Sequence, residues 1–226
     1  MKRFAGLTAA ILTLVRCAAT QAAVVFTDDF TTGTASYTLP SAGSVVPKAT
    51  ALPNGFFRTL SPGAASFDID GLDSLTARVF TGSSGFFDYS SSAGASSTSI
   101  LSYGTSGTPI TVSPNDGVRL NFAAVNAPAS GFTLVHVILN PGDSSTGTPD
   151  GYDSATYAVS KGGAQTFDIP LTVGSDIPVT SFQVFFDAPS GNDFRLNDLS
   201  IQPVPEPAAL GLLVVGALAL RRRPPG

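Results

Sequence analysis

The sequence predicts an all-β protein with a single β-sandwich at its centre. Across residues 24–202, short runs rich in Val, Ile, Phe and Thr recur between Gly, Ser, Asn and Pro residues, which is the pattern of strands separated by turns. No stretch in this range keeps a 3.6-residue apolar period for three turns, as an amphipathic helix would. Many short strands in a segment of roughly 180 residues fit two packed sheets, and we expect a jelly-roll-like arrangement.

Residues 1–23 have the pattern of a secretory signal peptide and predict a short N-terminal signal helix. Lys2 and Arg3 form a basic start, an apolar run follows at residues 4–15, and small residues lead to an expected cleavage after Ala22 or Ala23. The sequence has one cysteine, Cys17, which lies inside this segment. The mature chain therefore has no thiol to form a disulfide or to act as a nucleophile.

The charge of the central segment excludes one class of partner. Between residues 24 and 203, six Lys and Arg side chains stand against fifteen Asp, a net charge of −9. Because an acidic surface repels a phosphate backbone, nucleic acid is not expected as a partner.

The strands of the central segment can be assigned in chain order. Val24–Phe30 begins the domain, and the clearest later candidates are residues 56–60, 74–80, 97–103, 117–125, 132–140, 155–160, 165–171, 179–187 and 194–202. The serine-rich stretch 90–96 and the stretch 142–154 are low in complexity, and we expect both outside the core. Tyr152 and Tyr157 are candidates for stacking on sugar rings, since aromatic faces suit apolar surfaces with polar rims.

The alternation of apolar residues in the last strand is irregular. Its apolar residues are Phe194, Leu196, Leu199 and Ile201, so the alternation slips by one residue at Asn197–Asp198 and predicts a β-bulge. This ending resembles the last strand of jelly-roll carbohydrate-binding modules, and the stretch at residues 24–30 resembles their first strand. The resemblance implies a structural calcium between the two strands, with Asp28, Asp29 and Asp198 among its oxygen ligands. The alternative is that these aspartates cap turns of their own backbone.

The C-terminal segment 203–226 has three parts in a fixed order. Val204-Pro205-Glu206-Pro207 cannot form helix or central strand because its prolines fix φ and lack an amide proton. Residues 208–220 are thirteen uncharged residues, which as a helix would span about 20 Å, less than the bilayer core of about 30 Å. Arg221, Arg222 and Arg223 follow and would stay on the cytoplasmic side, so the segment predicts a membrane stop.

This tail resembles the PEP-CTERM sorting signal of Gram-negative bacteria. The resemblance implies export across the inner membrane, transient membrane contact through the tail, and recognition by an exosortase that cuts near the Pro-Glu-Pro step. It also implies delivery to the cell envelope, cell surface or extracellular matrix, and a role with exopolysaccharide or biofilm. The alternative is a simple membrane anchor on a proline-rich stalk.

Catalysis has few candidate residues in this sequence. The chain has one histidine, His136, and its neighbours are apolar on both sides, so we expect it at the edge of the core and not as a base. No Gly-x-Ser-x-Gly motif occurs, and zinc sites of the usual kind need more His or Cys. A pair of aspartates could still serve a glycosidase.

Three functions follow for an exported sandwich of this kind. The first is a structural cell-surface or matrix protein without enzymatic activity, the second a calcium-stabilised carbohydrate-binding module that contacts extracellular polysaccharide, and the third a secreted glycan hydrolase. The domain boundaries we expect are 1–23, 24–202 and 203–226.

Overall fold

The described residues of the chain form a sandwich of antiparallel β-sheets, which confirms the predicted all-β class. The structure is a computed structural model, and it describes residues 23–39, 49–67, 73–127, 131–142 and 151–204. The predicted signal helix and the predicted C-terminal apolar helix lie outside these ranges. These ranges contain no helical segment with the length and apolar character of a membrane span.

The strands of the described residues are short, and two seven-stranded sheets contain most of them. In chain order they are β1 (Phe26–Asp28), β2 (Ala35–Leu39), β3 (Thr50–Ala51), β4 (Phe57–Phe67), β5 (Leu75–Phe80), β6 (Phe86–Ser91), β7 (Ala95–Gly104), β8 (Ile110–Val112), β9 (Asp116–Asn126), β10 (Thr133–Leu139), β11 (Tyr152–Asp153), β12 (Tyr157–Val159), β13 (Gln165–Pro170), β14 (Ile177–Val179), β15 (Ser181–Ala188) and β16 (Asp193–Pro203).

The first sheet has the order β13-β9-β16-β6-β5-β2, with β1 beside β16. The second sheet has the order β11-β10-β15-β7-β4-β3, with β12 beside β10, and β8 pairs with β14 separately. Most neighbours in both sheets are distant in sequence, so the sandwich depends on long-range pairing.

The last strand lies at the centre of the first sheet and carries the predicted irregularity. The register between β16 and β9 shifts between Arg195 and Leu196 and again between Leu196 and Asp198, which leaves Asn197 without a partner on β9. On its other side β16 pairs with β6 through residues 193–196 and with β1 through residues 199–201. The bulge thus lies where the partner of β16 changes from β6 to β1.

The core lies between the two sheets and is rich in aromatic rings. Phe26 contacts Phe182 edge to face with ring centroids 4.9 Å apart, and Tyr103 stacks on Phe182 at 4.6 Å. Aromatic pairs of this kind add to the apolar area that the sheets bury. The hydroxyls of the core tyrosines Tyr37 and Tyr89 form hydrogen bonds with the hydroxyls of Ser99 at 2.5 Å and Ser97 at 3.2 Å.

The predicted strands correspond to observed ones, while one predicted loop was wrong. Each of the nine ranges assigned after the first strand overlaps an observed strand. The stretch 90–96 was expected outside the core, yet β6 ends at Ser91, β7 begins at Ala95, and Ala95 is fully buried. The error arose because serine was taken as a loop residue, whereas Ser91 is buried and its hydroxyl donates to the carbonyl of Asn192 at 3.2 Å. The stretch 142–154 lies partly outside the described residues.

Candidate functional site: the outer face of the second sheet

The outer face of the second sheet has an aromatic row at its middle. Ile100 on β7, Phe185 on β15 and His136 on β10 are neighbours in register across three strands, and all three side chains are half-buried. The His136 imidazole stacks on the Phe185 ring with centroids 4.4 Å apart and ring planes 8° from parallel. The two rings stabilise each other and form a flat surface that solvent can reach.

Exposed hydrophobic side chains border this row. Phe57, at the start of β4, is 44% exposed, Phe132, just before β10, is 49% exposed, and Leu134 on β10 is 39% exposed. Among the described residues, only Val24 joins them as an exposed large hydrophobic side chain. Three of the four therefore lie on or beside one sheet, and grouped exposure of this kind marks an interaction site.

Two shallow depressions flank the aromatic row and supply polar groups. One, of about 420 Å³, is lined by Phe132 and Leu134 together with Thr98, whose hydroxyl donates a hydrogen bond to Asp187. The other, of about 410 Å³, is lined by Phe57 and by Gln183, whose amide donates to the Ser102 hydroxyl at 3.2 Å. The face thus alternates apolar rings with hydroxyl, amide and carboxylate groups.

This face carries no basic side chain in the described part of its sheet apart from His136. Arg58 is the one Lys or Arg in the described strands of this sheet, and its side chain points into the core. The sequence placed His136 at the edge of the core, whereas it lies on the outer face against Phe185. A ring held flat in this way can contact the apolar side of a ligand, and the neighbouring polar groups can bond its hydroxyls.

Asp28 is a candidate calcium ligand, but both of its carboxylate oxygens already accept hydrogen bonds from protein groups. Its two carboxylate oxygens each accept a hydrogen bond from Nη1 of Arg58 at 2.7 Å, and one of them also accepts from the Tyr103 hydroxyl at 2.9 Å. The amide of Phe30 donates to the other oxygen at 2.9 Å. A calcium ion would compete with the guanidinium for this carboxylate.

The other two candidate ligands lie in different surroundings. The exposed Asp29 accepts hydrogen bonds from the hydroxyl and the amide of Thr31, and these bonds lower the pKa of its carboxyl. Asp198 faces outward from the first sheet and accepts from the Asn121 amide at 2.6 Å. Among the residues described, no group of three or more Asp, Glu, His or Cys side chains is placed to hold a metal ion.

The turn alternative for Asp28 and Asp29 matches the observed geometry. Each carboxylate accepts a hydrogen bond from the amide two residues later. A structural calcium stays a prediction, and an increase in Tm when calcium is added to chelator-treated protein would support it.

The buried Arg58 is the residue that sequence reasoning missed. Its Nη2 donates to the carbonyls of Thr32 at 2.5 Å and Gly33 at 2.7 Å, so it joins β4 to the segment after β1. Its Nε is buried and has no partner among the described residues. The signal was the alternation of Phe56, Arg58 and Leu60, which places all three side chains on the inner face.

The tyrosines proposed for sugar stacking are not part of the aromatic row. Tyr157 packs edge to face on Phe167 with centroids 6.1 Å apart, and the Tyr152 hydroxyl accepts from the Thr172 amide at 2.8 Å. Both pack against the hydrophobic core. Their register partners on β10, Val135 and Leu139, are buried, so neither tyrosine lies on the outer face beside His136.

The sorting residues begin where the described chain ends. The amide of Val204 donates to the carbonyl of Asn115 at 2.8 Å, one residue after β16. Pro205, Glu206 and Pro207, together with Arg221, Arg222 and Arg223, lie outside the described residues.

Comparisons with known proteins give only distant similarity of structure. No protein-family description matches the sequence, and no curated protein is similar to it. Among solved structures, PfGH50B is 7% identical over 65% of this chain with a TM-score of 0.35, and the chain spans 23% of that protein.

Carbohydrate-binding modules are also among the similar structures. CBM28, specific for non-crystalline cellulose, is 11% identical over 57% of this chain and 78% of its own, with a TM-score of 0.33. The family 11 module from Clostridium thermocellum, solved with a β-1,3-1,4-mixed-linked tetrasaccharide, is 11% identical over 76% of this chain and 92% of its own, with a TM-score of 0.32. Similarity this distant does not identify a function.

Proposed function

We propose that the sandwich is a non-catalytic module that binds neutral polysaccharide through the outer face of the second sheet. The observation that carries this proposal is the His136–Phe185 stack between two depressions lined by hydroxyl and amide groups. A sugar ring has apolar C–H surfaces and a rim of hydroxyls, so it can stack on the rings and hydrogen bond to the groups beside them.

The charge of this face favours a neutral ligand over an acidic one. Asp187 lines one depression, and the described strands of the sheet place no Lys or Arg on their outer face. An anionic chain would meet a carboxylate without a compensating cation, whereas a neutral hydroxyl can donate to it.

Affinity electrophoresis of the full chain tests this proposal. Gels would contain members of a panel of neutral polysaccharides (β-1,3-glucan, β-1,4-glucan, mixed-linkage glucan, dextran and galactan). We expect retardation by at least one member, with Phe185→Ala weakening binding about tenfold because the stacking surface is lost. Phe167→Ala is the matched control, since it removes a half-buried phenyl ring from β13 in the other sheet.

Two results would contradict the proposal. One is the absence of retardation with every member of the panel. The other is an equal loss of binding in Phe185→Ala and Phe167→Ala. Release of reducing sugar from a retained polysaccharide would favour the hydrolase alternative.

We also propose that this module is exported and sorted through its C-terminal tail. The proposal is supported by the order of the Pro-Glu-Pro step at residues 205–207, the apolar run 208–220 and the arginines 221–223. Because β16 ends at Pro203, the Pro-Glu-Pro step would follow directly on the folded module. A processing enzyme could reach an extended segment there without unfolding a strand.

Intact-mass analysis of the protein recovered from cell envelope and medium tests the sorting proposal. We expect a form that starts near Ala23 or Val24 and ends near Pro205, and we expect Glu206→Ala to block the C-terminal trimming. A protein that keeps Arg221–Arg223 in both fractions would instead have an ordinary anchor.

A further inference from the structure

The outer face of the first sheet carries two arginines that share one carboxylate. Arg78 on β5 and Arg195 on β16 lie on either side of Asp88 on β6, and their nearest contacts with its oxygens are both 3.2 Å. The arginine side chains are 47% and 45% exposed, whereas that of Asp88 is 17% exposed. The guanidinium groups are therefore the part of this cluster that solvent, or a ligand, meets first.

Each guanidinium lies over a phenyl ring, which fixes its position. Arg78 is 4.3 Å from the centroid of Phe80, Arg195 is 4.0 Å from that of Phe86, and the two rings are 4.7 Å apart. Stacking on an aromatic face restricts a flexible arginine before any ligand arrives. The entropy that a ligand would have to remove on binding is accordingly smaller.

Both arginines keep hydrogen-bond donors that the described residues do not use. Arg195 donates to Asp88 through Nε, and Arg78 donates through Nε and Nη2. That leaves both Nη groups of Arg195 and the Nη1 group of Arg78 without a partner in the described part of the chain. Two cations against one carboxylate also leave one positive charge here, within a segment whose net charge is −9.

A groove rich in hydroxyl groups continues from this cluster along β5 and β6. It has a volume of about 470 Å³ and is lined by Arg78 and Asp88 together with Ser74, Thr76, Ser90 and Ser92. Asp193 also lines it, which makes that part of the groove unsuitable for an anion. The outward positions of β5 thus change from hydroxyl at Thr76 to guanidinium at Arg78 to phenyl at Phe80 over about 13 Å.

We propose that this face is a second binding site, and that it takes an acidic polysaccharide through the carboxylate of a uronic acid unit. The carboxylate accepts hydrogen bonds from the unused Nη groups of Arg78 and Arg195, and the hydroxyls of neighbouring sugars occupy the groove beside Ser74 and Thr76. Guanidinium groups bind carboxylates with two parallel hydrogen bonds, as Arg119 does with Asp168 elsewhere on this sheet. The site is independent of the proposed neutral-glycan face.

The number of cations argues against a denser polyanion. A nucleic acid or a heavily sulfated chain carries closely spaced charges along its length, and the acidic module would repel all those beyond the reach of two arginines. A single carboxylate matches the single positive charge of the cluster.

The test compares polygalacturonate in which most carboxyl groups are methyl-esterified, so that the remaining free carboxylates are widely spaced, with the fully esterified polymer in affinity gels of the full chain. The fully esterified polymer has the same sugar backbone without the charge. We expect retardation by the partly esterified polymer and not by the fully esterified one, and about tenfold weaker binding in the double variant Arg78→Gln/Arg195→Gln, because the charge-assisted hydrogen bonds are lost. Lys161→Gln, which removes an exposed cation outside the cluster, is the matched control and should leave binding unchanged.

A second double variant distinguishes the loss of hydrogen bonds to the ligand from a loss of folding. Arg78→Lys/Arg195→Lys keeps both charges but loses the flat, forked donors, and we expect binding intermediate between wild type and the glutamine variant. Equal retardation by the two polymers, or equal binding by the glutamine variant and Lys161→Gln, would overturn the proposal. So would stronger retardation by single-stranded DNA than by the partly esterified polymer.

The two binding proposals can be tested independently of each other. Phe185→Ala should leave binding of the partly esterified polymer intact, and Arg78→Gln/Arg195→Gln should leave neutral-glycan binding intact. Loss of both activities in Phe185→Ala would contradict the second site as an independent one.

Discussion

Arg58 bonds the first strand to the second sheet from within the core. It is fully buried, and it bonds Asp28 on β1 and two carbonyls of the following segment. Its guanidinium also lies 5.3 Å from the centroid of Phe30, which holds a left-handed backbone at φ 56°. A left-handed phenylalanine is strained, so the surrounding contacts must fix it.

Breaking this buried ion pair on one side should destabilise the module strongly. We expect Arg58→Met to lower the free energy of unfolding by about 3–5 kcal/mol, because it leaves the Asp28 carboxylate buried without its cation. Urea unfolding would measure the change. The double variant Asp28→Leu/Arg58→Met should recover part of the loss, and a loss below about 1 kcal/mol in Arg58→Met would contradict this role.

Because of the buried tyrosines, the free energy of unfolding should decrease at alkaline pH. Burial raises the pKa of Tyr37 to about 12 and raises the pKa of Tyr103 well above its usual value of 10. A raised pKa means that the folded state holds the proton more tightly than the unfolded state. The stabilisation is therefore complete below pH 10 and is lost as the pH rises from about 10 towards 12.

The Tyr37 contribution can be measured by unfolding at a series of pH values. In wild type we expect the free energy of unfolding to fall above about pH 10, with each buried tyrosine contributing up to about 1.4 kcal/mol per pH unit. Tyr37→Phe should show a shallower decline, since one titrating group is removed. An identical slope in the two proteins would show that Tyr37 does not titrate in this way.

At the scale of single elements, the strand pair β9 and β16 shows how far sequence reasoning could go. The slip at Asn197 was visible because the apolar residues of one strand skip a position, and the bulge was confirmed. A second irregularity, on β9, compensates for this bulge and was not predicted from the sequence. On β9 the buried residues Phe122 and Val125 are also three apart, so Ala123 is skipped opposite the Asn197 bulge.

Deletions at these two positions test whether the irregularities compensate each other. Removing Asn197 alone should cost about 3–6 kcal/mol, because Phe194 and Leu196 would be turned towards the outer face. Removing Asn197 and Ala123 together restores strict alternation in both strands and should recover most of that loss. The substitution Asn197→Ala should change stability by less than about 0.5 kcal/mol.

The measurement is urea unfolding of the four proteins. If the double deletion is no more stable than the single one, the two irregularities do not form a compensating pair.

The candidate face was harder to predict than the strands. Its row joins Ile100, His136 and Phe185, which only the register of β7, β15 and β10 brings together. Alternation within the segment 132–140 could have shown that His136 faces away from Val135 and Val137. It could not have shown which ring would lie beside it, because that depends on pairing between segments about fifty residues apart.

At the scale of the whole molecule, the beginning and the end of the described sandwich lie side by side. Phe26 pairs with Ile201, and the amide of Val25 donates to the carbonyl of Ile201, so the chain enters and leaves the sandwich at the same end. A tail held at the membrane would therefore leave both sheets open to polysaccharide. Two faces with different charge would also let one module join a neutral chain to an acidic one.

The central claim is that the outer face of the second sheet binds a neutral glycan, and His136 allows a direct measurement of it. As the one histidine in the chain, it gives a single set of imidazole signals in a proton NMR spectrum. In a titration with an oligosaccharide from a polysaccharide that retards the protein, we expect these signals to shift and saturate, because the sugar covers the His136–Phe185 stack. Unchanged His136 signals at saturating oligosaccharide would place the binding elsewhere and contradict the account.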